Sequence, residues 1–221
     1  QRMTIQHHIN DDLLVAYAAG SLSESWSLLV ASHLALCPTC RKALEAAETM
    51  GAQLLETIAP VSVAPSSFDA LLARLDGDPS EPALPPSHET IPTPSVLPSP
   101  LRDYVGGDLH ALKWRRLGKG VFHIPIKTRD GEGKARLLKV PAGKPVPAHS
   151  HGGEELTLVL TGSFSTYRGA FHRGDVETAD ETVEHMPVAG PGEDCICLAV
   201  TDAPLRFKSL AARIVQPLIG I

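Results

Sequence analysis

Cysteine, aromatic residues and long apolar runs are all scarce in this sequence of 221 residues. The four cysteines are too few for a disulfide-stabilised scaffold. No apolar run approaches the about 20 residues that span a bilayer, and the chain does not open on a basic, apolar and small-residue leader. We therefore expect a cytoplasmic protein without a membrane anchor.

Positive charge is in the minority as well, since the formal net charge is −5 at pH 7. A protein that binds DNA directly usually neutralises phosphates with an excess of lysine and arginine. The charge balance therefore argues against direct DNA binding and is compatible with a basic protein partner. With 43% hydrophobic residues, the chain can still form at least one globular core.

Proline is concentrated in one segment. Residues 77–100, GDPSEPALPPSHETIPTPSVLPSP, contain eight of the nineteen prolines. Proline lacks a backbone donor and fixes φ, so such a stretch favours an extended, semi-rigid linker. We predict a linker over residues 77–109. It separates an N-terminal domain of residues 3–76, with Met3 as the expected natural start, from a C-terminal domain of residues 110–215.

Four short helices are predicted before the linker. Asn10 is a suitable N-cap for the first helix, and Ser21 and Glu24 have the spacing of a capping box for the second. Pro38 ends the second helix and suits the first turn of the third, and residues 66–76 form the fourth. Four short helices make a small core, and a small core usually needs a metal or a partner.

After the linker, short β-rich runs alternate with turns that contain glycine or proline. Examples are ARLLKVPAG, ELTLVLTGSFSTY and DCICLAVTD. This spacing predicts a small antiparallel barrel or jelly roll. The predicted fold class is therefore multidomain, with a small four-helix domain followed by an all-β barrel.

The helical part contains a metal-binding pattern. Cys37 and Cys40 are separated by two residues, and His33 lies one helical turn before Cys37. Two thiolates and an imidazole are three of the four ligands of a tetrahedral structural zinc. An antiparallel helix pair would bring His8 beside them as the fourth, with His7 as the alternative. A thioredoxin-like dithiol would instead need a strand before the motif, and His33 as a plain core histidine is the other alternative.

A second metal-binding pattern lies in the predicted barrel, in GKPVPAHSHGGEELTLVLTG over residues 143–162. His149 and His151 are two residues apart, so both point to one face of an extended segment. A glycine pair then lets the chain turn so that Glu155 joins them. Two imidazoles and a carboxylate suit zinc, manganese, iron or nickel.

The pattern of His8, His33, Cys37 and Cys40 resembles the zinc-binding domain of bacterial anti-sigma factors, over about residues 5–76. In that family the helices bind an extracytoplasmic-function (ECF) sigma factor and hide its RNA-polymerase-binding surfaces. The resemblance implies the same partner for this chain.

The segment 143–162 resembles the first motif of the cupin superfamily, which implies His149, His151 and Glu155 as metal ligands. Cupins take a fourth ligand, a histidine, from a second motif. The stretch GDVETADETVEH ends on His185 but lacks the P-x-G of that motif. The resemblance thus implies His185 as the fourth ligand, with His172 as the rival.

Cys195 and Cys197 alternate with an apolar residue and are predicted to lie on one side of one strand. Burial in the core is the favoured interpretation, with a redox role as the alternative. A disulfide within one strand at this spacing would be strained. Glu154 is expected to be a solvated carboxylate.

The combination of both parts resembles the ChrR family of anti-sigma factors over nearly the entire chain. This resemblance implies a non-enzymatic repressor with two zinc ions per chain. It would sequester an ECF sigma factor until singlet oxygen or a related oxidant causes release, a response that needs the cupin-like part. Self-association through that part is left open. The alternative is a metal-dependent cupin dioxygenase or isomerase with an N-terminal zinc interaction domain.

Overall fold

The computed structural model describes residues 4–76, 95–118, 120–203 and 206–207. Its helices are α1 Asp11–Ala18, α2 Glu24–Leu36, α3 Pro38–Glu56, α4 Ser67–Asp76 and α5 Ser99–Val105. A short 3-10 helix, Leu109–Ala111, follows α5. Among the residues that the structure describes, no helix is both long enough and apolar enough to cross a bilayer.

Two of the predicted helix starts are confirmed. The side chain of Asn10 accepts a hydrogen bond from the backbone N–H of Leu13 at 2.9 Å, as an N-cap does. Pro38 stands in the first turn of α3, where its missing N–H leaves no intrahelical bond unmade.

The predicted capping box of Ser21 and Glu24 is wrong. Helix α2 begins at Glu24, its N-cap is Ser23, and the Ser23 side chain makes no capping bond. The backbone N–H of Glu24 donates instead to the carboxylate of Asp130, at 2.6 Å. The Glu24 carboxylate is engaged too, since it accepts from the hydroxyl of Tyr104 at 2.5 Å. Contacts with Asp130 and Tyr104, which are distant in the sequence, therefore take the place of the predicted capping box.

Most of the predicted linker, residues 77–94, lies outside the described residues. Residues 95–109 belong to the folded part, because α5 forms there and both Leu97, before it, and Leu101, within it, are buried. The prolines at 98 and 100 stand at the start of α5, where a helix tolerates proline. The division into domains at 76 and 110 stays a prediction.

The remaining elements are strands. They are β1 Arg115–Gly118, β2 Val121–Ile126, β3 Lys134–Val140, β4 His149–Ser150, β5 Glu155–Thr161, β6 Ser163–Thr166, β7 Gly169–His172, β8 Val176–Ala179, β9 Glu184–His185, β10 Val188–Ala189, β11 Cys195–Thr201 and β12 Arg206–Phe207. They form a six-stranded sheet of order β1-β2-β3-β11-β5-β8 and two three-stranded sheets of orders β10-β6-β7 and β12-β4-β9. The strand pairings in the described part are antiparallel, as expected.

The six-stranded sheet has two chemically different faces. Leu137, Leu198 and Leu158 lie side by side in one cross-strand row and are fully buried. They form one apolar cluster with Leu29 and Val30 of α2. The helical part and this face of the sheet therefore share one core.

The opposite face of the same sheet combines buried charges with a second, smaller apolar cluster that includes Val140, Val159 and Cys197. The next row, one residue along each strand, contains Arg136 and Glu177 on either side of Ala199 and Thr157. Both charged side chains are buried.

The loop between β2 and β3 holds the start of α2 in place. The buried hydroxyl of Ser25 donates to the carbonyl of Glu132 at 3.0 Å. Gly133 has φ +67°, and a Cβ there would approach the Ser25 oxygen to 2.6 Å. Only glycine fits this contact.

The shared core predicts a single unfolding event. We expect Leu29→Ala to lower the free energy of unfolding by about 2–5 kcal/mol, because Leu29 is fully buried between α2 and the sheet. The same change at Leu55, which is 71% exposed, should cost less than about 0.5 kcal/mol. Urea unfolding followed by circular dichroism and tryptophan fluorescence measures both. Two transitions, only one of which shifts in Leu29→Ala, would contradict the shared core.

Candidate metal centres

Four residues of the helical part meet at one point, which we call the helical centre. They are His8, His33, Cys37 and Cys40, whose ligand atoms all lie within 4.8 Å of one another. Nε2 of His33 is 3.2 Å from Sγ of Cys40. Nδ1 of His8 is 3.3 Å from Sγ of Cys37 and 3.5 Å from Sγ of Cys40. The donor set of two imidazoles and two thiols fits a structural zinc.

The junction of α2 and α3 builds this centre. His33 lies in the last turn of α2, and Cys37 ends α2 and caps α3. The Cys37 sulfur accepts the backbone N–H of Cys40 at 3.4 Å, which places the two thiols side by side. The sequence predicted His8 as the fourth member, with His7 as the alternative. The structure brings His8 to the centre, whereas the His7 ring packs against Phe171 at 4.3 Å between centroids.

The protonation states of the helical centre suit a metal. Nδ1 of His33 donates to the carbonyl of Gly174 at 2.9 Å, so its Nε2 carries the free lone pair. Burial lowers the pKa of His33 to about 4, which keeps the ring neutral at pH 7. Burial and the neighbouring Cys37 raise the pKa of Cys40 to about 11. A cation at this point would supply the charge that a buried thiolate needs.

Three buried histidines of the barrel, His149, His151 and His185, meet at a point that we call the barrel centre. Their Nε2 atoms converge, with 3.1 Å between His149 and His185 and 3.2 Å between His151 and His185. His149 and His185 lie opposite each other on the paired strands β4 and β9. All three rings are buried, and burial lowers the pKa of His149, which favours neutral ligand imidazoles.

Glu155 does not lie in this group. Its carboxylate approaches the far nitrogen of the His151 ring, with 3.5 Å between Oε2 and Nδ1. It also accepts from the hydroxyl of Thr157 at 3.0 Å. Burial raises the pKa of Glu155, but the hydrogen bond and charge of His151, together with His149, outweigh burial and leave it below the ordinary value. In this geometry Glu155 is an ionised group that orients His151 from behind.

The other two histidines have oxygen atoms behind them as well. Nδ1 of His149 is 2.8 Å from the carbonyl of Pro147, and Nδ1 of His185 is 3.6 Å from Oε2 of Glu177. The hydrogen bond to Pro147 fixes the orientation of the His149 ring, whereas a carboxylate lies close behind each of the other two rings; in all three, Nε2 is left to face the centre. Sequence reasoning missed Glu177, because only the register of β8 against β5 shows that it points inward.

The remaining candidates lie outside both centres. The side chain of His172 is 40% exposed and lies 3.9 Å from Asp175. Cys195 and Cys197 are buried free thiols with 3.5 Å between their sulfurs, which agrees with the predicted core pair. The neighbouring Cys195 and burial raise the pKa of Cys197.

Comparison with known proteins places this geometry in context. Residues 103–204 match the family model described as the ChrR Cupin-like domain, which confirms the cupin-like fold predicted for the barrel. The anti-sigma-E factor ChrR of Cereibacter sphaeroides is 49% identical over 219 residues, covering 99% of this chain and 100% of that protein. A crystal structure of Rhodobacter sphaeroides SigE in complex with the anti-sigma ChrR matches with a TM-score of 0.77 and 48% identity. That match covers 90% of this chain and 100% of the matched one.

The barrel centre predicts different results for two neighbouring substitutions. We expect His151→Ala to abolish metal binding at the barrel centre, because it removes a converging Nε2 atom. Glu155→Gln should keep the metal with affinity lowered by about 10–100-fold, as is typical for a group that orients a ligand. Elemental analysis and competition with a chelator measure both, with Glu154→Gln as the matched control. Complete loss of the metal in Glu155→Gln would make Glu155 a direct ligand.

Proposed function

This chain belongs to the ChrR family of anti-sigma factors, and from that premise we propose that it represses transcription by binding and sequestering an ECF sigma factor. The observation that carries the proposal is the near-complete match to an anti-sigma-E factor at 49% identity. The related structure, in which ChrR is in complex with SigE, supports the same class of partner. Such a partner also implies action in the cytoplasm, where RNA polymerase works.

The surface for this partner is the part of the helical domain that the barrel leaves uncovered. We define the apolar arm as residues 50–75, from the second half of α3 to the end of α4. Ten of the fourteen exposed large hydrophobic side chains in the described part belong to it: Met50, Leu54, Leu55, Ile58, Val61, Val63, Phe68, Leu71, Leu72 and Leu75. Their exposure ranges from 41% to 87%. An apolar concentration of this size is typical of a protein interface.

The spacing of the apolar residues in the arm favours a binding mode in which a helix of this chain lies in a groove of the partner protein. In α4, the apolar residues fall at positions 68, 71, 72 and 75, which lie on one helical face. In α3, Met50 and Leu54 are one turn apart. An amphipathic helix with anchors at this spacing fits an apolar groove on a partner protein.

The two centres are proposed to serve different purposes. Zinc at the helical centre would tie α2 to α3 and so hold the apolar arm in position. The barrel centre, with zinc as the proposed metal, would register singlet oxygen or a related oxidant and cause release of the sigma factor. The enzyme alternative is not favoured, because the relative that matches across the whole chain is an anti-sigma factor.

Substitution in the arm should weaken sigma binding without unfolding the protein. We expect Phe68→Ala to lower the affinity for an ECF sigma factor from the same genome by about 10–30-fold, since an aromatic anchor often dominates an interface. Tyr167→Ala is the matched control, because Tyr167 is an exposed aromatic residue on the barrel. Titration calorimetry and inhibition of transcription in vitro measure the effect. Equal affinity in Phe68→Ala, Tyr167→Ala and the unchanged chain would contradict binding through the arm.

Loss of the barrel centre should separate release from binding. We expect His185→Ala still to bind the sigma factor, because His185 is buried in the barrel and is not part of the apolar arm. The complex should no longer dissociate when a photosensitiser generates singlet oxygen. His110→Ala is the control, since His110 is exposed and belongs to neither centre. If the sigma factor leaves the His185→Ala complex as fast as it leaves the complex of the unchanged chain, the sensing role is excluded.

A further inference from the structure

The turn between β7 and β8, together with the first two residues of β8, touches both metal centres. The carbonyl of Gly174 accepts the hydrogen bond from His33, a member of the helical centre, at 2.9 Å. Three residues further on, the carboxylate of Glu177 lies 3.6 Å from the ring of His185, a member of the barrel centre. Four consecutive residues, 174–177, thus contact the outer side of one ring in each centre. We call this segment the bridging turn.

The bridging turn also holds the segment that carries His8. We define the strap as residues 5–8, which precede α1. One carboxylate oxygen of Asp175 accepts the backbone N–H groups of Gln6 at 2.7 Å and His7 at 3.0 Å. The backbone N–H of Val176 donates to the carbonyl of His7 at 3.0 Å. The strap is therefore fixed by hydrogen bonds directly before His8 enters the helical centre.

Asp175 is buried and uses its second oxygen as well. It is 1% exposed, and its Oδ2 accepts the backbone N–H of His172 at 2.8 Å. A buried carboxylate with three N–H donors is held rigidly. It joins the strap to the end of β7, although the strap is more than 160 residues away in the sequence.

The strap lies tightly against the turn. Gly174 has φ +93°, and a Cβ there would come within 2.5 Å of Cδ1 of Ile5. The left-handed backbone and the close approach both require glycine. A shift of the turn would therefore displace the strap and, with it, His8.

We propose that the bridging turn couples the two centres, with Asp175 as the positioning residue for His8 through the strap and Glu177 as the positioning residue for His185. Two of the four helical ligands, His8 and His33, are then held in place by the barrel. Loss of order at the barrel centre loosens the helical centre, which is the junction that orients the apolar arm. The inference rests on the proposed occupation of both centres by zinc.

Asp175→Asn in the full-length, zinc-loaded chain tests the positioning role. Asparagine has only one acceptor oxygen. Its NH₂ group must therefore face at least one of the backbone N–H groups that donate to the carboxylate of Asp175 in the unchanged chain. We expect a chelator to remove zinc from the helical centre about 10–100-fold faster, as for other groups that orient a ligand. Alkylation of Cys37 and Cys40, quantified by mass spectrometry, should accelerate in parallel. Alkylation of Cys195 and Cys197 should stay slow, which shows that the barrel is intact.

Two controls make the result specific. Asp180→Asn is the matched charge control, because Asp180 is exposed and caps its own turn by accepting from Thr182. Ile5→Ala loosens the strap without touching Asp175 and should act in the same direction, even if Asp175→Asn fails to fold. Ile58→Ala, in the exposed arm, is its matched control. Chelation rates in Asp175→Asn or Ile5→Ala equal to those of their controls would overturn the proposal.

A double-mutant cycle tests the coupling itself. We expect His185→Ala to accelerate zinc loss and alkylation at the helical centre in the otherwise unchanged chain, and to add little in the Asp175→Asn background. No effect of His185→Ala on the helical centre, or strict additivity with Asp175→Asn, would overturn the coupling. Sigma binding would survive that outcome, so the anti-sigma function would stand. An unchanged chain that holds no zinc at the helical centre would overturn the coupling together with the proposed metal content.

Discussion

The packing of α2 against the apolar face of the six-stranded sheet is the constraint on which the rest of the structure depends. Leu29 and Val30 are buried against a row of leucines from three strands. The opposite face of that sheet carries the buried charges of Arg136 and Glu177 beside a smaller apolar cluster, so the larger core forms on this face, with α2. Once α2 lies there, its last turn brings His33 to the bridging turn. The same contact therefore sets the core, the helical centre and the position of the helices on the barrel.

The two centres follow from different chemistry and suit different purposes. The helical centre combines two imidazoles with buried thiols, one of which, Cys40, has a raised pKa, and such a site is stable mainly when a cation is present. The barrel centre has three imidazoles, each with an oxygen behind it, and two of those oxygens belong to the carboxylates of Glu155 and Glu177. A site built from one type of neutral ligand accepts several metals. The first centre is suited to holding helices together, and the second to chemistry at the metal.

Local spacing predicted the members of both centres better than it predicted their surroundings. His33, Cys37 and Cys40 lie within eight residues on either side of the break at Pro38, so the local turn between α2 and α3 brings them together. The role of Glu155 depends on which side of the His151 ring its carboxylate reaches, and motif spacing does not contain that information. Asp175 and Asp130 make bonds across more than 100 residues of sequence, to the strap and to the start of α2. Helix α5 was missed because prolines suit a helix start as well as a linker.

The position of the helical centre gives a physical route from the proposed sensing at the barrel centre to sigma binding. The apolar arm begins in α3 and does not belong to the core shared by α2 and the sheet, so a change in the barrel cannot reach it through that core alone. The centre lies between them: His8 and His33 are held by the barrel, whereas Cys37 and Cys40 start α3. A shift of the two histidines relative to the two cysteines therefore changes the angle between α2 and α3. Because the arm is an extension of α3, that angle decides where the apolar anchors stand relative to a bound sigma factor.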